Sequence, residues 1–245
     1  MEPDFRGKAA VVTGASSGIG RAIALGLARG GARLFLLGRN AERLEETALL
    51  ARPLAAEVDW RSVDLTQDDA VRGLERELRA AAVRIDILVH SAGIIRLGPP
   101  SRMPLEDFDL QFQVNVRAPL HLTQMLLPLM ASPGGQLVFI NSSAAAHPGV
   151  SNGVYAATKS ALKAITDSLR QETASRGLRI LSIFPGRTAS AMQRQVMAFE
   201  KTDYRPDALI QPEDIAAAVL FALGLPWTVD VTEIAARPFL PPEGK

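Results

Sequence analysis

The chain has no cysteine, only two tyrosines and two tryptophans in 245 residues, and a formal net charge of just +1. Each shortage excludes something. Without cysteine there are no disulfides, no thiolate metal sites and no cysteine nucleophile. The three histidines, His90, His121 and His147, are far apart in sequence and lack metal-ligand spacing, so no metal site is expected. The 27 basic and 26 acidic residues are scattered rather than clustered, which leaves no electrostatic footprint for nucleic acid. A small neutral or mildly anionic partner fits better. No apolar run approaches the ~18 residues of a membrane span, and the amino-terminal MEPDFRGK is charged and carries no apolar leader. A soluble, cytoplasmic protein is expected. Repeats, low-complexity tracts and interdomain linkers are absent as well.

What is present is a hydrophobic fraction of 47%, enough for one large domain spanning 1–245. Short apolar runs at 8–13, 33–37, 58–63, 85–89, 135–140, 178–184 and 231–235 read as strands. They alternate with helix-period segments at 41–51, 68–82, 104–130 and 154–176 and a last helix opening at Pro212. Strict alternation predicts an α/β fold with a parallel sheet of about seven strands and helices on both faces. Ligands of such sheets bind beyond the carboxyl ends of the strands.

The residues that follow the strands carry the chemistry. After the first strand, TGASSGIG places Gly14, Gly18 and Gly20 around Ser16, Ser17 and Ile19 and opens a helix. A strand, a glycine turn and a helix start make a cradle for a pyrophosphate, because backbone amides point outward and no side chains block its approach. After the second strand, Gly38 is followed by Arg39 with no acid in place, and an arginine there suits a ribose 2'-phosphate. NADP is therefore favoured over NAD. Asp64 and Leu65 follow the third strand, where a carboxylate and a backbone amide can hold an adenine edge; Asp64 serves equally well as the amino cap of the next helix. Ser91, Ala92 and Gly93 form a small turn that permits close backbone approach. His90 before them reads as a strand-end hydrogen-bonder rather than a catalyst. Within the helix predicted over 104–130, Pro119 frees the carbonyl of Asn115, and a freed carbonyl beside a polar amide can hold a water. Asn115 is also readable as a satisfied buried amide.

Tyr155 and Lys159 are four residues apart, so one helix stacks them on the same face. A phenol titrates near pH ~10 and an adjacent ammonium favours the phenolate, so the pair is read as a proton relay with a lowered tyrosine pKa. The pattern is short, and it also fits a surface aromatic beside a solvated charge. Ser142 lies thirteen residues upstream at the end of the fifth strand, where its loop can bring the hydroxyl back over the pair; alone it reads as a cap or turn serine. Pro185 and Gly186 break the sixth strand. The stretch 187–210 that follows has few strong structure signals and is read as a mobile lid. Met192, Met197 and Phe199 suggest an apolar wall there, whereas Arg187, Arg194 and Lys201 leave room for a carboxylate.

Together, TGASSGIG, SAG at 91–93, NV at 115–116, Ser142, Tyr155-x-x-x-Lys159 and PG at 185–186 resemble the short-chain dehydrogenase/reductase family over nearly the whole chain. The resemblance implies a single-domain Rossmann-like, doubly wound sheet and an NADP(H)-dependent oxidoreductase acting on a small carbonyl, secondary alcohol or hydroxy acid. It implies that Ser142 bonds the substrate oxygen, Tyr155 exchanges the proton, Lys159 also binds the nicotinamide ribose, and Asn115 holds a water linked to Lys159. Thr188 and Ser190 would lie near the nicotinamide carboxamide and phosphates, and a homodimer or homotetramer would bury the helices of 104–130 and 154–176. The sequence departs from the family in having H-S-A-G for N-N-A-G, Ser190 for a threonine, and VTEIAARPFLPPEGK in place of a glycine-rich end. That ending looks like the branch of NADP-dependent 3-hydroxy acid and serine dehydrogenases and carbonyl reductases. Two other functions stay open: a non-catalytic NADP-binding redox sensor, and an epimerase or dehydratase with a retained nicotinamide.

Overall fold

Apolar runs flanked by glycine, asparagine and serine fold here into one parallel sheet, in a computed structural model that describes residues 3–239. The strands are β1 (Ala9–Thr13), β2 (Arg33–Gly38), β3 (Glu57–Ser62), β4 (Ile87–His90), β5 (Gln136–Ile140), β6 (Arg179–Pro185) and β7 (Glu233–Ala236). The helices are α1 (Gly18–Arg29), α2 (Ala41–Ala51), α3 (Asp68–Ala80), α4 (Leu105–Phe112), α5 (Ala118–Leu126), α6 (Gly153–Thr173), α7 (Ala191–Phe199) and α8 (Pro212–Leu223). Strand order is β3-β2-β1-β4-β5-β6-β7, and every pairing is parallel. The final LPPEGK, part of the segment compared with a family branch, lies outside the described residues.

Each central strand is apolar throughout because both faces are covered. Side chains alternate across it: Val12, Leu36 and Val89 enter a core half closed by α1, α2 and α8, while Val11, Leu37 and Leu88 enter one closed by α3, α5 and α6. The edge strand β3 is half exposed and carries Glu57, Asp59 and Arg61, charges that keep an open edge from pairing with another chain. Among the described residues no helix is long and apolar enough to cross a membrane.

Strand order reverses between β1 and β4, so the turns leaving these two strands lie side by side beyond Thr13 and His90, which are in register. Thr13 joins them: its hydroxyl donates to the Val89 carbonyl (3.2 Å) and accepts from the amides of Ser91 (3.0 Å) and Ala92 (3.1 Å).

Two segments differ from the sequence expectation. The single helix predicted over 104–130 is interrupted. Residues Gln113–Arg117 form a wider turn in which the Ala118 amide reaches back to Gln113, before a final tight turn at Leu127–Leu129. Pro119 has no amide to offer, so the regular ladder is broken at this point. The stretch 187–210 contains helix α7, capped by Ser190. Its two ends are tied by Ala189 to Ile210 (2.8 Å) and Ile210 to Arg187 (3.1 Å), and Arg187 grips Glu200 with both guanidinium nitrogens (2.7 and 2.8 Å).

Candidate active site

The glycine turn is built for tight approach. Gly14 has φ +66°, and a Cβ there would stand 2.8 Å from the Ala92 amide nitrogen, so no side chain fits. A carbon on Gly20 would collide with the Gly14 carbonyl. Helix α1 then begins from Ser17 with neither a side-chain cap nor an acidic residue in its first turn. Three helices are closed by their own side chains, Asn40 capping α2, Ser190 α7, and Gln211 with Asp214 α8, whereas α1 shares the lack of a side-chain cap with α3, α4, α5 and α6. The amino end of α1 therefore keeps its outward donors and positive dipole end, which is what a pyrophosphate requires. Ser190 comes to this end as well, its Cβ 3.8 Å from where a Gly18 Cβ would be. The hydroxyl of Ser190 donates to the Thr188 carbonyl (3.1 Å) and accepts from the Gln193 amide (3.1 Å), and buried Thr188 donates to the Gly186 carbonyl (3.1 Å).

Arg39 is exposed at the end of β2, and its carbonyl accepts from Ser62 (3.0 Å). Asp64 does not cap α3. It closes a turn with the Thr66 amide (3.0 Å) and hydroxyl (2.7 Å), which, with Arg39 nearby, hold its carboxyl below the usual range. Leu65 packs against the second core half.

Tyr155 and Lys159 are both buried, which rejects the reading of a surface pair. Ser142 lies close enough to Tyr155 to act on its hydroxyl, and its own oxygen accepts from the Ala144 amide (3.2 Å), so it also caps a short turn. Lys159 Nζ donates to the Ile140 carbonyl (2.9 Å) and lies 5.8 Å from the Tyr155 ring centre. Contrary to the sequence expectation, the tyrosine pKa is raised. Burial penalises the phenolate and outweighs the lowering effect of the nearby Ser142 hydroxyl. Burial also pushes the lysine down, to about 8, since its neighbour there is a carbonyl and not a carboxylate.

Asn115 is fully engaged. Its Oδ1 accepts from the Ile94 amide (2.9 Å), and its Nδ2 donates to the Ile94 carbonyl (2.9 Å) and to Thr158 Oγ1 (3.1 Å). Thr158 in turn donates to the Tyr155 carbonyl (2.7 Å). The satisfied-amide reading thus holds for the side chain. His90 replaces the family's asparagine without loss of attachment. It stacks on Phe139 at 4.6 Å and meets Thr123 Oγ1 at 2.9 Å. Because Thr123 gives its own proton to the Pro119 carbonyl (2.8 Å), His90 is the donor, through Nε2. Burial pushes its pKa down to about 3, so it stays neutral.

Three residues to which the sequence reading gave no role hold the site together: Thr13, Thr158 and Gln111. Thr13 opens TGASSGIG and Thr158 lies within Tyr155-x-x-x-Lys159, a signal that was available. Gln111 accepts from the Arg96 amide (3.0 Å), and only its position one turn before Asn115 hints at this.

A parallel sheet with a glycine-rich first turn, an uncapped α1 and a buried tyrosine and lysine at its carboxyl edge defines a Rossmann-like oxidoreductase domain. The family model for short chain dehydrogenases matches residues 8–201, and the chain belongs to the short-chain dehydrogenase/reductase family. An uncharacterized oxidoreductase of Staphylococcus epidermidis is 37% identical over 94% of this chain and 97% of its own. Among solved structures, a short chain dehydrogenase from Salmonella enterica matches with TM-score 0.88 and 34% identity, covering 97% of this chain and 99% of that one. L-sorbose reductase from Gluconobacter frateurii, complexed with NADPH and L-sorbose, matches with TM-score 0.88 and 27% identity over 97% and 98%. Family membership makes this an oxidoreductase acting on CH–OH or C=O groups of small molecules.

Proposed function

We propose that the protein is an NADP(H)-dependent reductase or dehydrogenase of a small carbonyl compound, secondary alcohol or hydroxy acid, with Tyr155 as the proton-transferring residue. The observation that carries this reading is the burial of Tyr155, beside Ser142, on the same helical face as a buried Lys159. Preference for NADP(H) is supported by Arg39, by the absence of an acid at position 38, and by the NADPH bound to L-sorbose reductase.

The pyrophosphate would rest on the amides of the Gly14–Gly20 turn, Ser16, Ser17 and Ile19 included, with Ser91, Ala92 and Gly93 beside it. Arg39 would take the 2'-phosphate, and Asp64 and Leu65 the adenine. Pro185, Gly186, Thr188 and Ser190 would flank the nicotinamide, and Lys159 its ribose. The bound nicotinamide supplies or accepts the hydride.

The chain's own residues handle the oxygen and its proton. In reduction, Ser142 and Tyr155 both donate hydrogen bonds to the carbonyl oxygen, so the charge that develops there is met by donors already in position. One such donor is typically worth about 3 kcal/mol. Tyr155 then gives its proton to that oxygen. Its raised pKa keeps it a neutral phenol, hence an acid, at neutral pH, while Lys159 is protonated below about pH 8 and opposes the cost of the phenolate left behind. Asn115 fixes the helix turn and the segment at Ile94 around this pair, and its backbone carbonyl would hold the water that returns the proton. The segment 187–210 closes over the substrate.

The test is NADPH consumption over a panel of aldehydes, ketones and hydroxy acids, paired with a fluorescence titration of NADPH. Net turnover is expected. Binding without turnover would indicate a sensor, and turnover of a nucleotide sugar with no net loss of NADPH would indicate an epimerase or dehydratase.

A further inference from the structure

The side chains packed around Tyr155 have a definite chemistry. Tyr155 packs with Ile95, Ala144 and Ala156, and half-buried Leu97, Met192 and Val196 lie against this group. Ile95 and Leu97 are presented by an extended segment whose backbone is held on the opposite side. Asn115 pairs with both polar groups of Ile94, and Gln111 with the Arg96 amide. These two amides are four residues apart on consecutive turns, and they act as a substitute strand edge. Alternation along the segment then directs side chains 95 and 97 toward Tyr155. The far end of this wall is pinned by the Gly98 amide, which donates to the Ser151 carbonyl just before α6 (2.8 Å).

Of the cations that left room for a carboxylate, Arg187 and Arg194 are engaged elsewhere, as is the neighbouring Arg96. Arg187 is held by Glu200, Arg194 stacks over the Tyr204 ring at 4.4 Å, and Arg96 pairs with Asp107 at 3.1 Å. Lys201 lies beyond the last turn of α7 and is exposed. Of the apolar residues expected in the wall, only Met192 is there. Met197 is buried outside the group, Phe199 is exposed, and Val196, one turn from Met192, takes their place.

We infer that the substrate is an uncharged ketone or secondary alcohol whose apolar arm seats against Ile95, Leu97, Met192 and Val196, and that Met192 and Val196 set how long that arm can be. The inference rests on the proposed function and narrows it by removing hydroxy acids. A wall of aliphatic carbon gains from each buried methylene and offers no partner for a desolvated carboxylate.

The experiment measures kcat/KM with NADPH for straight-chain methyl ketones of rising length and for keto acids of matched length. Expected is a rise of about fourfold per added methylene until the wall is filled, with the keto acids at least about tenfold worse than the ketones of equal length. Met192→Ala and Val196→Ala should flatten the rise, Val196→Lys should shift preference toward keto acids, and Phe199→Ala, on exposed surface, should leave the series as it was. A flat series, a preference for keto acids, or equal flattening by Phe199→Ala overturns the inference. If only charged substrates turn over and Tyr155→Phe abolishes that turnover, the substrate class is wrong and the mechanism stands. If no compound in either series consumes NADPH, the proposed function itself fails.

Discussion

The two edges of the sheet are built from the same strands and have opposite chemistry. At the amino edge, Gly7, Lys8, Arg33, Arg84 and Asp86 line a cleft of about 420 Å³. Its charges are met in kind: Lys8 pairs with Asp86 at 3.1 Å, and Arg33 with Glu57 at 2.7 Å and with Asp59 at 3.5 Å. At the carboxyl edge, Lys159 is buried against a carbonyl, Tyr155 is buried beside a serine, and α1 starts without a cap. At the amino edge, then, Lys8 and Arg33 both face carboxylates, whereas Lys159 faces none. A buried cation without a counter-ion lowers stability, and it persists where function needs it, so unpaired burial marks the carboxyl edge.

The contrast can be broken by mutation at either edge. Ser142→Ala, at the carboxyl edge, should lower kcat about a hundredfold with little change in melting temperature, as expected for loss of one oxyanion donor; steady-state kinetics and a thermal scan on one preparation check this. Lys159→Met should lower kcat while removing a pH dependence of stability. The folded-state pKa of Lys159 is about 8 against 10.5 ordinarily, so between these values the unfolded chain binds more protons than the folded one, and wild-type stability rises with pH. The gain, at most ~3 kcal/mol, should be missing from the urea midpoints of the variant, and reduction by the wild type should slow above about pH 8 as the cation is lost. Arg39→Leu should raise KM for NADPH about tenfold relative to that for NADH, the size of one charge-assisted hydrogen bond; an unchanged ratio removes Arg39 from the phosphate site. The smallest effect belongs to the amino edge. Asp86→Asn should cost about 1 kcal/mol in urea denaturation, by weakening its bonds to Lys8 and the Ala9 amide, and leave kcat unaltered.

The legible parts of the chain were those where local chemistry decides the structure. Short runs rich in apolar residues marked all seven strands, four of them closed by glycine or asparagine, and Gly14 and Gly20 marked a turn that admits no other residue. The tyrosine, lysine and serine were readable as types at a spacing. Three features were not readable, because each depends on tertiary contact. Helix α7 has a good cap in Ser190 but polar residues that mask its period, and Arg187, Glu200 and Ile210 fix it only once the fold is formed. The break at 113–117 follows from Pro119 acting together with the buried side chain of Asn115. The sign of the tyrosine shift was misjudged because helical spacing reports proximity to a cation and is silent about burial, which here is the stronger effect.

Tyr155→Phe tests the central claim most directly, with NADPH affinity and single-turnover reduction measured on the same sample. The phenyl ring keeps the packing with Ile95 and Ala156 and lacks only the proton. A fall in rate of roughly a thousandfold with NADPH affinity unchanged is the predicted result. Reduction at the wild-type rate, or loss of binding in step with rate, would contradict the assignment of proton transfer to this residue.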